Sequence, residues 1–251
     1  TQQVSSAASD VYKRQVTDAN GCSITIPFVI TSPPLLSNTA TVTSSYANGT
    51  VISCNGACDG AATSVGAGGN PGSTYIFEWS TSAGSQTSFT ATGLCAGTHT
   101  VTITDQNGCT AVDTVTLTEP TVLSATNTPT NIDCNGDSTG SILVAAVGGT
   151  PTYSYSLNGQ TNFTGLFTGL SAGTYCITVT DGNNCTHVEC VTLTENTALQ
   201  TATVVTSNYN GAQISCHDSN DGIAQVNVTG GQFPYSYAWS TLPAQNTAVA
   251  S

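Results

Sequence analysis

The chain contains the stretch Gly97-Thr-His-Thr-Val-Thr-Ile-Thr-Asp-Gln-Asn-Gly-Cys109, which returns 76 residues later as Gly173-Thr-Tyr-Cys-Ile-Thr-Val-Thr-Asp-Gly-Asn-Asn-Cys185. In both copies large residues alternate with smaller ones, mostly threonine, at a period of two. A turn rich in Asp, Asn and Gly follows. This alternation predicts a strand with one buried face, and the turn predicts a hairpin to the next strand. Similarity at a fixed spacing indicates tandem repeats.

Two further segments recur and define the limits of the repeats. Val115-Thr-Leu-Thr-Glu-Pro120 returns at the same spacing, and Ile52-Ser-Cys-Asn-Gly56 has counterparts that begin at Ile132 and Ile214. The sequence therefore predicts a tail of a preceding repeat (16–34), two complete repeats (35–120 and 121–196) and a truncated third repeat (197–251). The third repeat reaches Ser251 before its last hairpin, so we expect it to be unable to close its own core.

The predicted fold class is all-β, with tandem immunoglobulin-like β-sandwich repeats of about 80 residues. Thr and Val favour strands, and Gly, Asn and Pro mark regular turns at a density that suits about seven short strands in each repeat. The step Leu170-Ser-Ala-Gly-Thr-Tyr175 resembles the tyrosine corner of that fold, with His99 in the place of Tyr175 in the first complete repeat.

Residues 1–15 differ in composition from the rest of the chain. They hold both basic residues, Lys13 and Arg14, and no Lys or Arg follows. We interpret 1–15 as a non-native, adapter-like leader and exclude it from the predicted fold. Because the sequence starts at Thr1 and has no methionine, we expect it to be a fragment or a processed piece.

The charge balance excludes several functions. With 14 acidic and 2 basic residues the net charge is −12, and only 6% of residues are charged, against roughly a quarter in ordinary domains. Nucleic-acid binding and contact with anionic membranes both need clustered Lys and Arg. No apolar run approaches the ~20 residues of a membrane-spanning helix, so we expect neither nucleic acid nor membrane insertion.

Ten cysteines without a C-x-x-C pair favour disulfides and an extracellular or cell-surface location. Comparison between the repeats indicates partners. Cys176 and Cys190 correspond to Thr100 and Thr114, and Cys58 and Cys95 correspond to Ser138 and Ser171. Since both members of each set change together, we predict the disulfides Cys58–Cys95 and Cys176–Cys190, the second between directly opposite residues of one hairpin.

The cysteines shared by the repeats allow two pairings. Bonding inside each repeat would give Cys54–Cys109 and Cys134–Cys185, and it is our default. Bonding each late cysteine to the next early one would instead give Cys22–Cys54, Cys109–Cys134 and Cys185–Cys216. In a sandwich the early and late positions lie at opposite ends, ~26 Å of strand apart, which counts against both pairings.

Residues with catalytic or ligand-binding chemistry are sparse in this sequence. His99, His187 and His217 occupy unrelated repeat positions and lack metal-ligand spacing, and no nucleophile lies near a base, so we predict no catalytic site, no metal site and no cofactor. Acidic residues cluster in loops, which suits Ca²⁺ but equally suits ordinary turns. Aromatic residues recur at a period of two in three sets, Tyr75/Phe77/Trp79, Tyr153/Tyr155/Leu157 and Tyr235/Tyr237/Trp239. We interpret them as part of the sandwich core, and the alternative is a sugar-stacking platform.

Taken together, the recurring motifs resemble the SprB-type repeat of large surface adhesins of Bacteroidota. The resemblance covers about 16–251, with departures at His99, Leu157 and Asn184. It is carried by Cys134-Asn-Gly136, Gly230-Gly-Gln-Phe-Pro-Tyr-Ser-Tyr-Ala-Trp239, Gly169-Leu-Ser-Ala-Gly-Thr-Tyr175, Asp105-Gln-Asn-Gly-Cys109 and Thr116-Leu-Thr-Glu-Pro120.

The resemblance implies a non-enzymatic cell-surface filament that serves adhesion or gliding motility and is exported by type IX secretion. We therefore expect a structural or adhesive stalk, whose partners are neighbouring repeats and surface or glycan ligands of unknown identity. The alternative is a carbohydrate-binding module of an extracellular enzyme. That module needs exposed aromatics, so the accessibility of Trp79 and Trp239 separates the two hypotheses.

Overall fold

A computed structural model describes residues 9–70, 72, 74–241 and 243–251. The chain forms two compact units. Unit 1 comprises the residues up to Leu123 together with Gly148–Pro151 and Gly182–Cys185. Unit 2 comprises Ser124–Val147, Thr152–Asp181 and Thr186–Ser251. Among the described residues, no helix has the length and apolar character needed to cross a bilayer.

Unit 1 contains eight strands and two short 3₁₀ turns, Ala47–Gly49 and Thr81–Ala83. The strands are β1 (Ser9–Thr17), β2 (Ser23–Thr31), β3 (Ser37–Val42), β4 (Gly60–Ala67), β5 (Ile76–Trp79), β6 (Thr90–Leu94), β7 (Gly97–Thr104) and β8 (Thr110–Leu117).

The first complete repeat is a sandwich of two three-stranded antiparallel sheets, with strand orders β3-β4-β6 and β5-β7-β8. Between them lies a core whose larger members are Ile52, Trp79, Leu94, Val101 and Leu117, each at most 1% exposed. Burial alternates along β7 as the sequence predicts, with His99, Val101 and Ile103 inside. Full burial of each large apolar side chain contributes about 1.5–3 kcal/mol, which holds the two sheets together.

Unit 2 contains the strands of the second complete repeat and of the third. They are β9 (Ser124–Thr130), β10 (Gly140–Val147), β11 (Ser154–Leu157), β12 (Gln160–Asn162), β13 (Leu166–Leu170), β14 (Gly173–Thr180), β15 (Thr186–Leu193), β16 (Gln200–Val205), β17 (Ala224–Thr229) and β18 (Val249–Ala250).

The second complete repeat has seven strands in two sheets, with orders β13-β10-β9 and β12-β11-β14-β15. Counted along the repeat, the strand order is fifth-second-first in one sheet and fourth-third-sixth-seventh in the other. This is the order of an immunoglobulin-like sandwich. Its core includes Ile142, Tyr155, Ile177 and Leu193, of which Ile142 and Ile177 are 0% exposed. The chain is thus all-β, as predicted.

Two smaller sheets are formed by strands within residues 9–31 and within residues 200–250. Strands β16, β17 and β18 form one sheet, and all six residues of β16 are exposed. Strands β1 and β2 pair alone, and β2 is exposed along its whole length. Residues 9–15 of the predicted leader thus lie in β1, whereas 1–8 fall outside the described residues. The interpretation of 1–15 as a leader stays a prediction.

A hydrogen bond across the last hairpin's entry is kept in both complete repeats although the residue differs. The Tyr175 hydroxyl donates to the Ser171 carbonyl oxygen at 2.9 Å. In the first repeat, Nε2 of His99 lies 2.9 Å from the carbonyl oxygen of Cys95, which corresponds to Ser171. A carbonyl oxygen only accepts, so Nε2 carries the proton and donates. His99 therefore has a structural role, which accounts for its departure from the tyrosine corner.

Candidate functional site

The hairpin turn that ends in the late cysteine is organised by an aspartate. Asp105 accepts hydrogen bonds from the backbone N–H groups of Asn70, Asn107 and Cys109 at 2.8–3.0 Å. These bonds, led by that of Asn70, lower the pKa of the Asp105 carboxyl below its usual value. Asp18 binds the N–H groups of Asn20 and Cys22 in the same way. The acidic hairpin residues thus serve the turn.

The early cysteine lies in a loop that a glutamate holds against the end of the same repeat. In the first complete repeat, Glu119 Oε2 accepts the Gly56 N–H at 2.6 Å and the Asn55 side chain donates to the Pro120 carbonyl at 3.0 Å. This glutamate belongs to the recurring Thr-Leu-Thr-Glu segment. It fixes the orientation of the Cys-Asn-Gly loop, and with it the place where Cys54 is presented.

The structure contains both disulfides that the paired substitutions predicted. Cys58 is joined to Cys95, and Cys176 to Cys190. Strand register places Cys176 directly opposite Cys190 across β14 and β15.

The default pairing of the shared cysteines was wrong, and so was its alternative. Cys54 is joined to Cys185, with 5.7 Å between their Cα atoms, so neither Cys54–Cys109 nor Cys134–Cys185 forms. The expected separation of early and late positions within one sandwich explains why the default pairing fails. The early loop of the first complete repeat meets the late hairpin of the second, both within unit 1, and this contact creates the bond.

The Asn183 side chain forms several hydrogen bonds next to this disulfide. Its side-chain amide lies 3.0 Å from Thr50 Oγ1, from the Ser53 carbonyl oxygen and from Thr150 Oγ1. Its Oδ1 accepts the Ala47 N–H at 2.8 Å. One side chain thus binds the early loop of the first repeat as well as its own repeat.

Further polar contacts complete the junction. The Gly182 N–H donates to the Thr150 carbonyl at 2.8 Å, and the Asn48 side chain donates to the Pro151 carbonyl. Thr150 is 1% exposed. A fully satisfied, partly buried network of this kind favours a single arrangement of the two loops, since an unpaired polar group there costs about 1–3 kcal/mol. We define the repeat junction as 47–54 with Gly148–Pro151 and Gly182–Cys185.

Sequence reasoning missed Asn183, although a signal was present. An asparagine stands two residues before the late cysteine in every hairpin, at Asn20, Asn107 and Asn183. By itself, an asparagine at this position predicts only a turn. In the first complete repeat the equivalent Asn107 is exposed, as is Cys109, so among the hairpins that the structure describes the second role is seen at 182–185.

The histidines and acidic loops are not brought together. His187 Nε2 lies 3.3 Å from Glu189, His217 is exposed beside Asp218, and His99 is buried. Among the described residues, no group of three His, Cys, Asp or Glu side chains is placed to hold a metal ion. Asp59 Oδ1 accepts the Ser53 N–H, and Asp221 Oδ1 the Ser215 N–H, so the early loops use their carboxylates as internal acceptors.

Each aromatic set of the two complete repeats contributes to the core. Trp79 is 1% and Tyr155 7% exposed, and Leu157 packs at 4%. The Trp79 indole donates to the Ser88 carbonyl at 2.9 Å, and that of half-buried Trp239 donates to the Thr247 carbonyl at 2.8 Å. Trp79 and Tyr155 therefore serve packing, whereas Tyr235, Tyr237 and Trp239 of the third repeat are half-buried.

The pattern of the SprB repeat family matches residues 126–162 and 208–244. The chain carries SprB repeats. The two matches start 82 residues apart, the spacing that separates Ile132 from Ile214. No curated protein matches the chain.

SprB repeats occur in large cell-surface adhesins of gliding motility, which suggests a structural or adhesive role. The SprB repeat is a non-enzymatic structural repeat found in cell-surface proteins. In this chain each complete repeat is a sandwich, and the repeat junction adds a covalent bond between the two.

Proposed function

We propose that the chain is a segment of a non-enzymatic stalk in a large secreted cell-surface protein that serves adhesion or gliding motility. The observation that carries the proposal is the repeat junction, where Cys54–Cys185 and Asn183 tie one repeat to the next. A stalk must transmit a pull from end to end. A disulfide between successive repeats does so even when a neighbouring strand opens.

The disulfides and the net charge support the same function. Disulfides persist in extracellular compartments, and three of them are present. The net charge of −12 opposes self-association of a repetitive surface protein. With only 2 basic residues, ion pairs contribute little, so hydrogen bonds and disulfides hold the loops in place.

The test places the full chain between a surface anchor and a binding module of known ligand. Bound particles are counted under increasing flow, with a Gly-Ser spacer of equal length as the control. We expect the chain to retain particles at higher flow than the spacer, and the Cys54→Ser/Cys185→Ser variant to lose part of that gain. Equal retention by chain and spacer would contradict the stalk.

A second arm tests the alternative module. The chain alone, without the binding module, is titrated with soluble polysaccharides while tryptophan fluorescence is recorded. The stalk proposal expects no change. A saturable shift that disappears in Trp239→Phe but persists in Trp79→Phe would instead favour carbohydrate binding by the third repeat.

A further inference from the structure

We propose that the Cys54–Cys185 bond is one member of a continuous series in which the early cysteine of each SprB repeat is oxidised with the late cysteine of the following repeat. Cys134 and Cys109 are then open positions of the series, and their partners are cysteines of flanking repeats. The inference extends the proposed stalk by naming the partner of each junction.

All four free cysteines obey this rule. Cys22, Cys109, Cys134 and Cys216 are the remaining thiols, and each is exposed. Cys134 and Cys216 are early cysteines, whose partners would be late cysteines beyond Ser251. Cys22 and Cys109 are late cysteines, whose partners would be early cysteines before the first complete repeat. Only Cys54 has the late cysteine of the next repeat within this sequence, and it is the one that is bonded.

The loop of Cys134 is built like that of Cys54. Glu195 Oε2 accepts the Gly136 N–H at 2.8 Å, and the Asn135 side chain donates to the Asn196 carbonyl at 3.0 Å. These bonds repeat the contacts of Glu119 with Gly56 and of Asn55 with Pro120. The same two hydrogen bonds therefore position the loop of Cys134 and that of its bonded counterpart, Cys54.

The segment that contacts the late hairpin of the second repeat, which contains Gly149 and Thr150, has a counterpart in the third repeat. Gly231 donates its N–H to the Thr197 carbonyl at 2.8 Å, as Gly149 does to Thr121 at 2.8 Å. The residue after Gly149 is Thr150, which binds the hairpin of Cys185; the residue after Gly231 is Gln232.

Between the loop of Cys134 and the segment at Gly231 and Gln232, within unit 2, lies a groove of about 390 Å³. Its lining includes Asp133, Cys134 and Asn135 of the early loop together with Gln232 and Tyr235 of the third repeat. The late hairpin of the second repeat fills the equivalent place in unit 1. The occupant that fits is therefore a hairpin of the type Asp-x-Asn-(Gly/Asn)-Cys, from the last strands of the third repeat.

Oxidation proceeds by thiol–disulfide exchange with an oxidised dithiol or with oxidised glutathione from the medium. The Cys134 thiolate attacks one glutathione sulfur, breaks the glutathione disulfide and releases one glutathione thiol. The late cysteine thiolate then attacks the Cys134 sulfur and releases the second thiol. Two protein thiols lose two protons and two electrons, and one glutathione disulfide is reduced.

The experiment completes the third repeat on the full chain. Ser251 N donates to Gln245 Oε1 at 3.0 Å, as Thr92 N does to Gln86 at 3.1 Å, so Ser251 occupies the position of Thr92. The next residue of that repeat is Gly93, which corresponds to Gly169. A copy of residues 169–196 is therefore appended directly after Ser251, and the protein is refolded with oxidised and reduced glutathione.

Peptide mapping without reduction, after alkylation, gives the result. We expect alkylation of Cys134 to fall from nearly complete in the unextended chain to nearly none, with a new peptide that joins Cys134 to the appended copy of Cys185. The control replaces Cys185 of the appended copy by Ser, which should restore alkylation. The appended copies of Cys176 and Cys190 report by their own bond that the hairpin has folded.

An alkylated Cys134 beside a folded appended hairpin would overturn the series. So would a Cys109–Cys134 bond, or a missing Cys54–Cys185 bond, in the unextended chain, which needs no added hairpin to fold. The flow assay of the stalk is independent of these maps, so failure of the series and failure of the stalk are distinguishable.

Discussion

Loss of the junction disulfide should lengthen the chain under force by an amount that the structure sets. In the oxidised protein, Cys54–Cys185 withholds 131 residues from extension. In Cys54→Ser/Cys185→Ser, the two remaining disulfides withhold 37 and 14 residues, together 51. The variant should therefore release 131 less 51, or 80, additional residues, which at ~3.5 Å each give about 280 Å.

Single-molecule stretching of the full chain from its two ends measures this difference. Reduced wild-type protein is the reference, because it should release all 131 residues and extend by about 460 Å more than the oxidised protein. Equal extension of oxidised wild type and variant would refute the bond between repeats. An intermediate gain of about 280 Å in the variant, with the larger gain only after reduction, is the expected pattern.

Three further changes test individual contacts. Asn183→Ala removes four hydrogen bonds of the repeat junction and should cost about 2 kcal/mol by hydrogen exchange of 47–54, whereas Asn107→Ala at the equivalent exposed position should change little. Cys176→Thr/Cys190→Thr removes a disulfide between residues 14 apart and replaces it by a cross-strand threonine pair that recovers part of the loss. We expect β14 and β15 to be destabilised by about 2–3 kcal/mol, and an unchanged hydrogen-exchange rate would contradict this. Because the folded pKa of Asp105 is lowered, its contribution to stability is present above the unfolded pKa and is lost as pH falls through the folded value, so Asp105→Asn should flatten the acid limb of a pH–stability curve below about pH 4.

The junction links two repeats that have small cores and few charges. Each complete repeat buries its own apolar core, and its early loop is closed by a glutamate that follows its last strand. The next repeat then adds one cysteine and one asparagine from a single hairpin. Both complete repeats carry an early and a late cysteine, so each has both halves of such a link.

Much of the fold follows from local sequence. The alternation in β7 and β14 predicts which side chains are buried, because neighbouring residues of a strand point to opposite faces. Paired change of Cys176 and Cys190 indicates contact, because a cross-strand pair is lost or gained as a unit. Similarly, the turn motif with Asp105 predicts the hairpin, since its carboxylate binds backbone N–H groups only two and four residues away.

The repeat junction could not be predicted in this way, because its contacts are not local. Cys54 and Cys185 are 131 residues apart, and both occur in motifs that every repeat shares, so sequence comparison alone allows several pairings. Likewise, Asn183 has the sequence of a turn residue and becomes a bridge only when the loop at 47–53 faces it. Short-range periodicity determined the strands and the repeat, whereas the tertiary structure alone decided which end of one repeat meets which hairpin of the next, since that choice depends on packing across the whole sandwich.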